Sequence, residues 1–303
     1  MLVIAEIMNI VLPVFFLMGI GFLAGKYLTI NSKSISEICL YIFSPALFFH
    51  SVTTSSLEIG DLGKILLFAI SLFLLFVCLI ELLSYIFKWS LSYKNTLMLA
   101  SGFPNAGNYG LPIVLFAFGD AGVSIAVIYV VMQSLLMNSA GVFFASNHES
   151  VAKMDIFLNI LRMPGFVAVF LGLVLKILGV PIPTMVENSV GLLGQAAVPT
   201  LLTLLGITLA SIQIKNLVKF IGTATLLKLF GYPIIAILLL SVFYPWGSTE
   251  ASILLVCAAT PTAATTTLLS IKFNMNSDMV SSAMFVSTMA SIITIPLLLF
   301  IVL

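Results

Sequence analysis

Ten stretches of about 20 apolar residues, separated by short charged or turn-rich breaks, constrain this sequence more than any other feature. They fall at 6–26, 34–55, 63–87, 94–117, 121–146, 162–180, 189–211, 217–242, 249–271 and 278–303. A helix that long with so few charges buries its surface in lipid. Only 8% of residues are charged and 61% are hydrophobic, where a soluble domain carries about 25% charged residues. A solvated shell around a core is excluded, and the predicted fold class is an all-α membrane protein. Short connections make consecutive spans antiparallel neighbours.

Net charge is +1 over 303 residues, which gives no basis for a nucleic-acid partner. Cys39, Cys78 and Cys257 sit inside apolar runs without CxxC spacing and read as free thiols. His50 and His148 lie too far apart to suggest a metal site, and no motif asks for a cofactor. The first span carries Glu6 instead of a basic leader and reads as the first helix of the protein. Nine of the twelve Lys and Arg residues lie in the loops after spans 1, 3, 5, 7 and 9. Lys64 and Lys176 lie on the other side, and Lys228 lies inside span 8. The positive-inside rule therefore puts the odd loops in the cytoplasm of a multi-pass cell-membrane protein, with both termini outside.

The longest connection, 147–161, divides the chain into 1–146 and 162–303, with five spans each. Pro104 in span 4 and Pro261 in span 9 stand about 157 residues apart, and Pro45 in span 2 and Pro199 in span 7 about 154. Two matches at a nearly constant offset indicate a duplication. Because each unit has an odd number of helices, the copies are inverted relative to one another, a recurring plan of secondary transporters.

Span 4 is interrupted by Gly102, Pro104, Asn105, Gly107, Asn108, Gly110 and Pro112 within eleven residues. Proline breaks the helical hydrogen-bond ladder and glycine tolerates the unwound backbone. Such backbone survives at membrane depth only where protein or a water-filled cavity satisfies it. A simple kink or a small-residue packing patch is the plainer reading, but the density of the cluster favours a broken helix lining a site. The matching stretch of span 9 is Thr260, Pro261, Thr262 and Thr265 with their neighbours. Two breaks meeting at mid-membrane would aim positively polarised half-helix N-termini at one point, which suits a small organic anion such as a carboxylate. Asn105, Asn108, Thr262 and Thr265 would supply donors. Gln133 near the middle of span 5 is a further candidate. Tyr41, Ser44, Thr200 and Thr203 could face the site from the other helices.

The run from Pro104 to Pro112, Pro-Asn-Ala-Gly-Asn-Tyr-Gly-Leu-Pro, resembles the fourth-helix motif of the auxin efflux carrier family, which includes plant carriers and bacterial malate/malonate-type permeases. The resemblance covers essentially the whole chain. It implies two inverted five-helix repeats, with a scaffold from spans 1, 2, 6 and 7 and a transport domain from spans 3–5 and 8–10. Helices 4 and 9 would cross at the substrate site, the transport domain would move as an elevator, and the protein would pair as a homodimer in the bilayer. It carries Pro104, Asn105, Asn108 and Pro261 over as site residues.

Two charges fall inside spans. Glu81 lies seven residues before Lys88, roughly 10 Å from the cytoplasmic end of span 3, and Lys228 lies nine residues after Lys219, roughly 13 Å deep in span 8. A charge at such depth is a functional hypothesis by default. Glu81 is expected to take up and release H+, with Lys228 balancing it or the substrate. The plainer readings are a static salt bridge for Glu81 and snorkelling for Lys228. Asp120, in Gly-Asp-Ala-Gly, reads as an outer turn. A Na+-coupled symporter of the same plan is the rival within transport. An intramembrane enzyme lacks paired carboxylates, an HExxH motif or a nucleophile beside His50, and a channel lacks a pore signature.

Overall fold

The structure is a computed structural model that describes residues 2–56, 58–146, 158, 161–215, 217–245 and 247–303. Helices account for every regular element among these residues. They are α1 (Leu2–Tyr27), α2 (Ser32–Thr54), α3 (Ile59–Phe87), α4 (Leu91–Ser101), α5 (Ala106–Ala145), α6 (Pro164–Ile177), α7 (Thr184–Ala210), α8 (Val218–Phe243), α9 (Thr249–Ala258), α10 (Ala264–Lys272) and α11 (Ser277–Val302). Seven of them are long and apolar enough to cross a membrane, while α6 and α9 are apolar but shorter. Of the predicted connection 147–161, all but Leu158 and Leu161 lies outside the described residues.

The helices depart from the ten predicted runs for local reasons. α5 covers 40 residues but is two arms, because Gly119 at φ 66°, ψ −166° leaves the helical region where a side chain would be strained. The predicted turn at Asp120 is this bend. The fourth and ninth predicted runs each divide into two helices, α4 with the start of α5 and α9 with α10, because the four to five residues between them leave the helix. Serine caps the lower arm in both cases. Ser90 Oγ accepts from Tyr93 N–H at 3.3 Å and Ser248 Oγ from Ala251 N–H at 3.3 Å.

The helices pack as two groups. α1 lies along the second half of α7, and α2 packs on α6 and α7. In the other group α3 packs on α5 and α8, α9 on α5, and α11 on α4, α8 and α10. Lipid tails offer no hydrophobic drive between helices, so contact depends on close backbone approach over small residues. The α1–α7 seam shows this. A Cβ on Gly206 would collide with Met18 O, with Phe22 N at 2.7 Å, and one on Gly21 with the backbone oxygen of Thr203. Backbone atoms cannot rotate away as a side chain can.

Gly206→Leu is therefore expected to force α1 and α7 apart and lower the melting temperature in detergent by about 5 °C or more, since overpacking costs about 1–3 kcal/mol even where neighbours yield. Gly19→Leu, also on α1 but with nothing within 4 Å of its added Cβ, should melt like the wild type. A differential scanning measurement on the two proteins checks both.

Candidate functional site

The two interruptions meet. Pro104 and Thr262 form an isolated antiparallel bridge, in which Asn105 N–H donates to Pro261 O at 2.8 Å and Ala263 N–H donates to Phe103 O at 3.0 Å. Proline supplies no N–H, so the first segment donates from Asn105, the residue after Pro104, and the second from Ala263, since the Thr262 N–H is taken by Ser287 Oγ. Further bonds tie up the chain ends around the bridge. Thr262 Oγ1 donates to Ala100 O at 2.6 Å, at the end of α4. Thr260 Oγ1 donates to Cys257 O at 2.8 Å, at the end of α9. Ser287 Oγ of α11 accepts from Thr262 N–H at 3.2 Å, and Ser291 Oγ donates to Tyr109 Oη at 2.8 Å. Gly110 lies against this layer, where a Cβ would be 3.1 Å from Thr260 Cγ2.

The bridge leaves the starts of α5 and α10 on one side. The first amides of a helix lack intrahelical acceptors and carry positive partial charge. Asn108 in the first turn of α5, and Ala264 and Thr265 at the start of α10, line one cavity of about 680 Å³. Lys33 of α2, Thr208 of α7 and Lys215 just past the end of α7 line it too. A second cavity, of about 740 Å³, lies at the opposite end, lined by His50, Asp61, Asp120, Gln195 and Glu250. Ser32 borders the first and Thr54 the second. These are the two ends of α2, roughly 33 Å apart at 1.5 Å per residue. The charged groups differ, two lysines with Glu37 and Asp278 against three acids. Beside the second cavity, burial pushes the Tyr244 hydroxyl up to about 12, with Asp61 and Glu250 adding to the effect.

Of the ten residues expected to bind substrate, Asn108 and Thr265 border the cavity. Pro104, Asn105, Thr260, Pro261 and Thr262 form the bridge and its supports, with Asn105 4% exposed and Thr260 and Thr262 fully buried. The Nδ2 of Asn105 has no hydrogen-bond partner among the described residues. Gly107 is half-buried and faces Val130, with room for a Cβ at 3.5 Å. Gln133 is buried among tyrosines, its Nε2 donating to Tyr129 Oη at 3.0 Å and Tyr232 Oη at 3.5 Å. Tyr41 is 63% exposed, and Thr200 and Thr203 bond to their own helix. The hydroxyl that lines the cavity from that helix is Thr208, one turn beyond Thr203 and Leu204.

The two charges inside the spans have different surroundings. Glu81 Oε1 and Oε2 accept from Lys94 Nζ at 2.7 and 2.9 Å, the carboxylate side chain half exposed and the lysine 13% exposed. Lys94 was legible only as one of the cytoplasmic basic residues, because the turn that folds α4 back onto α3 separates the pair by 13 positions. Lys228 is fully buried, so it does not snorkel to an interface. Its Nζ donates to Ala258 O, the last carbonyl of α9, at 3.1 Å and lies 3.9 Å from the centre of the Tyr232 ring.

The chain is similar to known proteins over nearly its whole length. The pattern of a family described as membrane transport protein matches residues 6–159 and 149–299. A protein of Rhizobium meliloti (strain 1021) named "Putative malonate transporter" is 23% identical over 308 residues, covering 98% of this chain and 96% of its own. An uncharacterized transporter of Methanocaldococcus jannaschii is 26% identical over 304 residues, covering 96% and 97%. One from Methanothermobacter thermautotrophicus is 27% identical over 206 residues, covering 66% of each chain. With a family match over nearly its whole length, this multi-pass membrane chain is a transporter and not an enzyme, and it belongs to the membrane transport proteins of the auxin efflux carrier family.

Proposed function

We propose that the chain is a secondary transporter of a small organic anion, a carboxylate of the malonate, malate or auxin-like kind. The observation that carries this reading is the shared cavity. The starts of α5 and α10 open into it through Asn108 and Thr265, and Lys33 and Lys215 stand at its rim. Helix N-termini with amide and hydroxyl donors favour a carboxylate over a cation, while the two lysines are offset by Glu37 and Asp278, each pairing with its lysine at 4.0 Å. Asn105 Nδ2, buried beside the bridge without a partner among the described residues, is a donor that an anion reaching the bridge would satisfy. The name of the Rhizobium relative supports the same substrate class.

The proposed architecture has ten passes. α4 with the first arm of α5 makes the fourth, the second arm of α5 the fifth, and α9 with α10 the ninth. The units 1–146 and 162–303, joined by the cytoplasmic segment 147–161, are inverted repeats. Their paired breaks and paired serine caps support this. The packing groups support a scaffold of α1, α2, α6 and α7 and a transport domain of α3–α5 and α8–α11. In an elevator cycle the bridge would travel past the scaffold between the two cavities. The termini would be extracytoplasmic, in the cell membrane, and the protein would pair as a homodimer through its scaffold. Proton linkage is assigned to Glu81, whose release from Lys94 would accompany movement, with Lys228 as the fixed balancing charge.

Malonate, malate, acetate and indole-3-acetate tested against purified protein should include at least one that raises the melting temperature, since ligand at 100 times its Kd adds about 2.7 kcal/mol to the native state. Asn108→Ala and Asn105→Ala should lose that shift. A flat response to all four acids, or a shift that survives both substitutions, rejects the site.

Thr262→Val separates support from binding. Losing the bond to Ala100 O leaves a buried carbonyl unpaired, at a cost of about 1–3 kcal/mol. The variant should melt several degrees lower in the absence of ligand yet keep the carboxylate-induced increment.

Proton linkage is read from counterflow in proteoliposomes across pH 5.5–8. Glu81→Gln should flatten the pH profile of the wild type; an unchanged rate and profile would remove Glu81 from the mechanism.

A further inference from the structure

A helix broken in mid-membrane exposes two kinds of charge. The upper arm begins with amides that attract an anion, and the lower arm ends with carbonyls that attract a cation. Transporters built this way commonly place a coupling ion, Na+ or H+, on those carbonyls. In this chain five carbonyls at the two breaks are already engaged. Ala100 O accepts from Thr262 Oγ1, Phe103 O from Ala263 N–H, Pro261 O from Asn105 N–H, Cys257 O from Thr260 Oγ1 and Ala258 O from Lys228 Nζ. Four of these donors are neutral. The fifth is an amine that is ordinarily an ammonium and has no exposed surface.

Lys228 is the one buried charged residue among those described. It comes from α8, whose helix widens to a π-turn at Leu227–Gly231 and so turns the lysine stem inward. Its Nζ meets the last carbonyl of α9 and lies over the face of Tyr232, both of which favour positive charge. Beyond Tyr232 stand Tyr129 and Gln133, both neutral, and no Asp or Glu is buried among the described residues. The position one repeat earlier, about 157 residues before, is Ser71, and near the end of α4 the Thr262 hydroxyl serves Ala100 O. Only the second half carries the cation.

We propose that the Lys228 ammonium is a resident cation of the crossover, standing at the end of α9 where a dissociable coupling ion would otherwise bind, so that anion movement requires no Na+. This rests on the carboxylate-transport reading above and gives Lys228 a positioning role in it. The fixed charge holds the α9 terminus against the bridge and offsets the approaching anion without contacting it.

The test compares wild type, Lys228→Met and Lys228→Ala in proteoliposomes, using labelled malonate counterflow with Na+, K+ or choline as the only cation. Melting temperatures are recorded in the same salts and with ethylammonium. Wild-type rates should agree within about twofold in the three salts, and Lys228→Met, which keeps the volume but not the charge, should be about tenfold slower in all of them. Lys228→Ala, which opens space for a small cation, should regain at least about threefold in rate with Na+ or ethylammonium over choline, and melt higher with the same cations. Wild-type counterflow that needs Na+, or a Met variant as fast as wild type, overturns the proposal. So does an Ala variant whose rate and melting are indifferent to the added cation. If wild type moves no malonate at all, the carboxylate reading fails, and cation-specific stabilisation of Lys228→Ala, absent from wild type, still decides for or against the resident cation.

Discussion

Everything at the centre of this molecule depends on one pairing, the two-bond bridge between the segments around Pro104 and Pro261. In hydrocarbon an unpaired peptide group is costly, and a broken helix releases several at once. One broken helix would need water or side chains for all of them. Two that cross antiparallel satisfy part of each other's need, here through the amides of Asn105 and Ala263, and side chains such as Thr262 and Ser287 supply more. The bridge therefore explains why both breaks occur and why glycine, threonine and asparagine stand beside them.

The two breaks are not equivalent, and the difference divides structure from binding. On the second break the hydroxyls of Thr260 and Thr262 are spent on Cys257 O and Ala100 O. On the first, Asn105 keeps a buried donor without a partner among the described residues, and Asn108 projects into the cavity. Threonine suits a capping task because its short hydroxyl reaches backbone three or four residues away. Asparagine carries two donors on a planar amide and can hold a bond to protein and still present one to a ligand. On the proposed reading, specificity is concentrated in the first break and rigidity in the second.

Helix positions were legible because lipid exposure demands long apolar runs, and the breaks were legible because Pro and Gly cluster where no surface loop is possible. The same reasoning named Pro104, Asn105, Pro261 and Thr262 as neighbours across about 157 residues. It could not say which of them face the cavity, since burial within a membrane chain leaves no polar–apolar periodicity to read. Gln133 illustrates the failure. Its depth matched the site, but its rotation about the helix points it at Tyr129 and Tyr232. The partners of the two buried-span charges were equally hidden. Lys94 comes from across a turn, and the acceptor for Lys228 is a main-chain carbonyl that no side-chain pattern marks.

The bonds of the crossover stay within one packing group. Its donors and acceptors belong to α4, α5, α9, α10 and α11, with Lys228 from α8; none comes from α1, α2, α6 or α7. Contacts toward the other group include one ring contact and one hydrogen bond away from the crossover. Phe15 meets Tyr109 edge-on at 6.1 Å between ring centres, and Ser124 Oγ donates to Ser51 O at 2.9 Å near the far cavity. A network that is internally satisfied loses little when it slides along an apolar neighbour, whereas one bonded across the boundary would have to break those bonds in lipid. This is the physical condition for an elevator cycle. On the proposed elevator reading, the bridge, its capped half-helices and the buried lysine would move as one body along the apolar seam, and the bond from Ser124 to Ser51 would have to break.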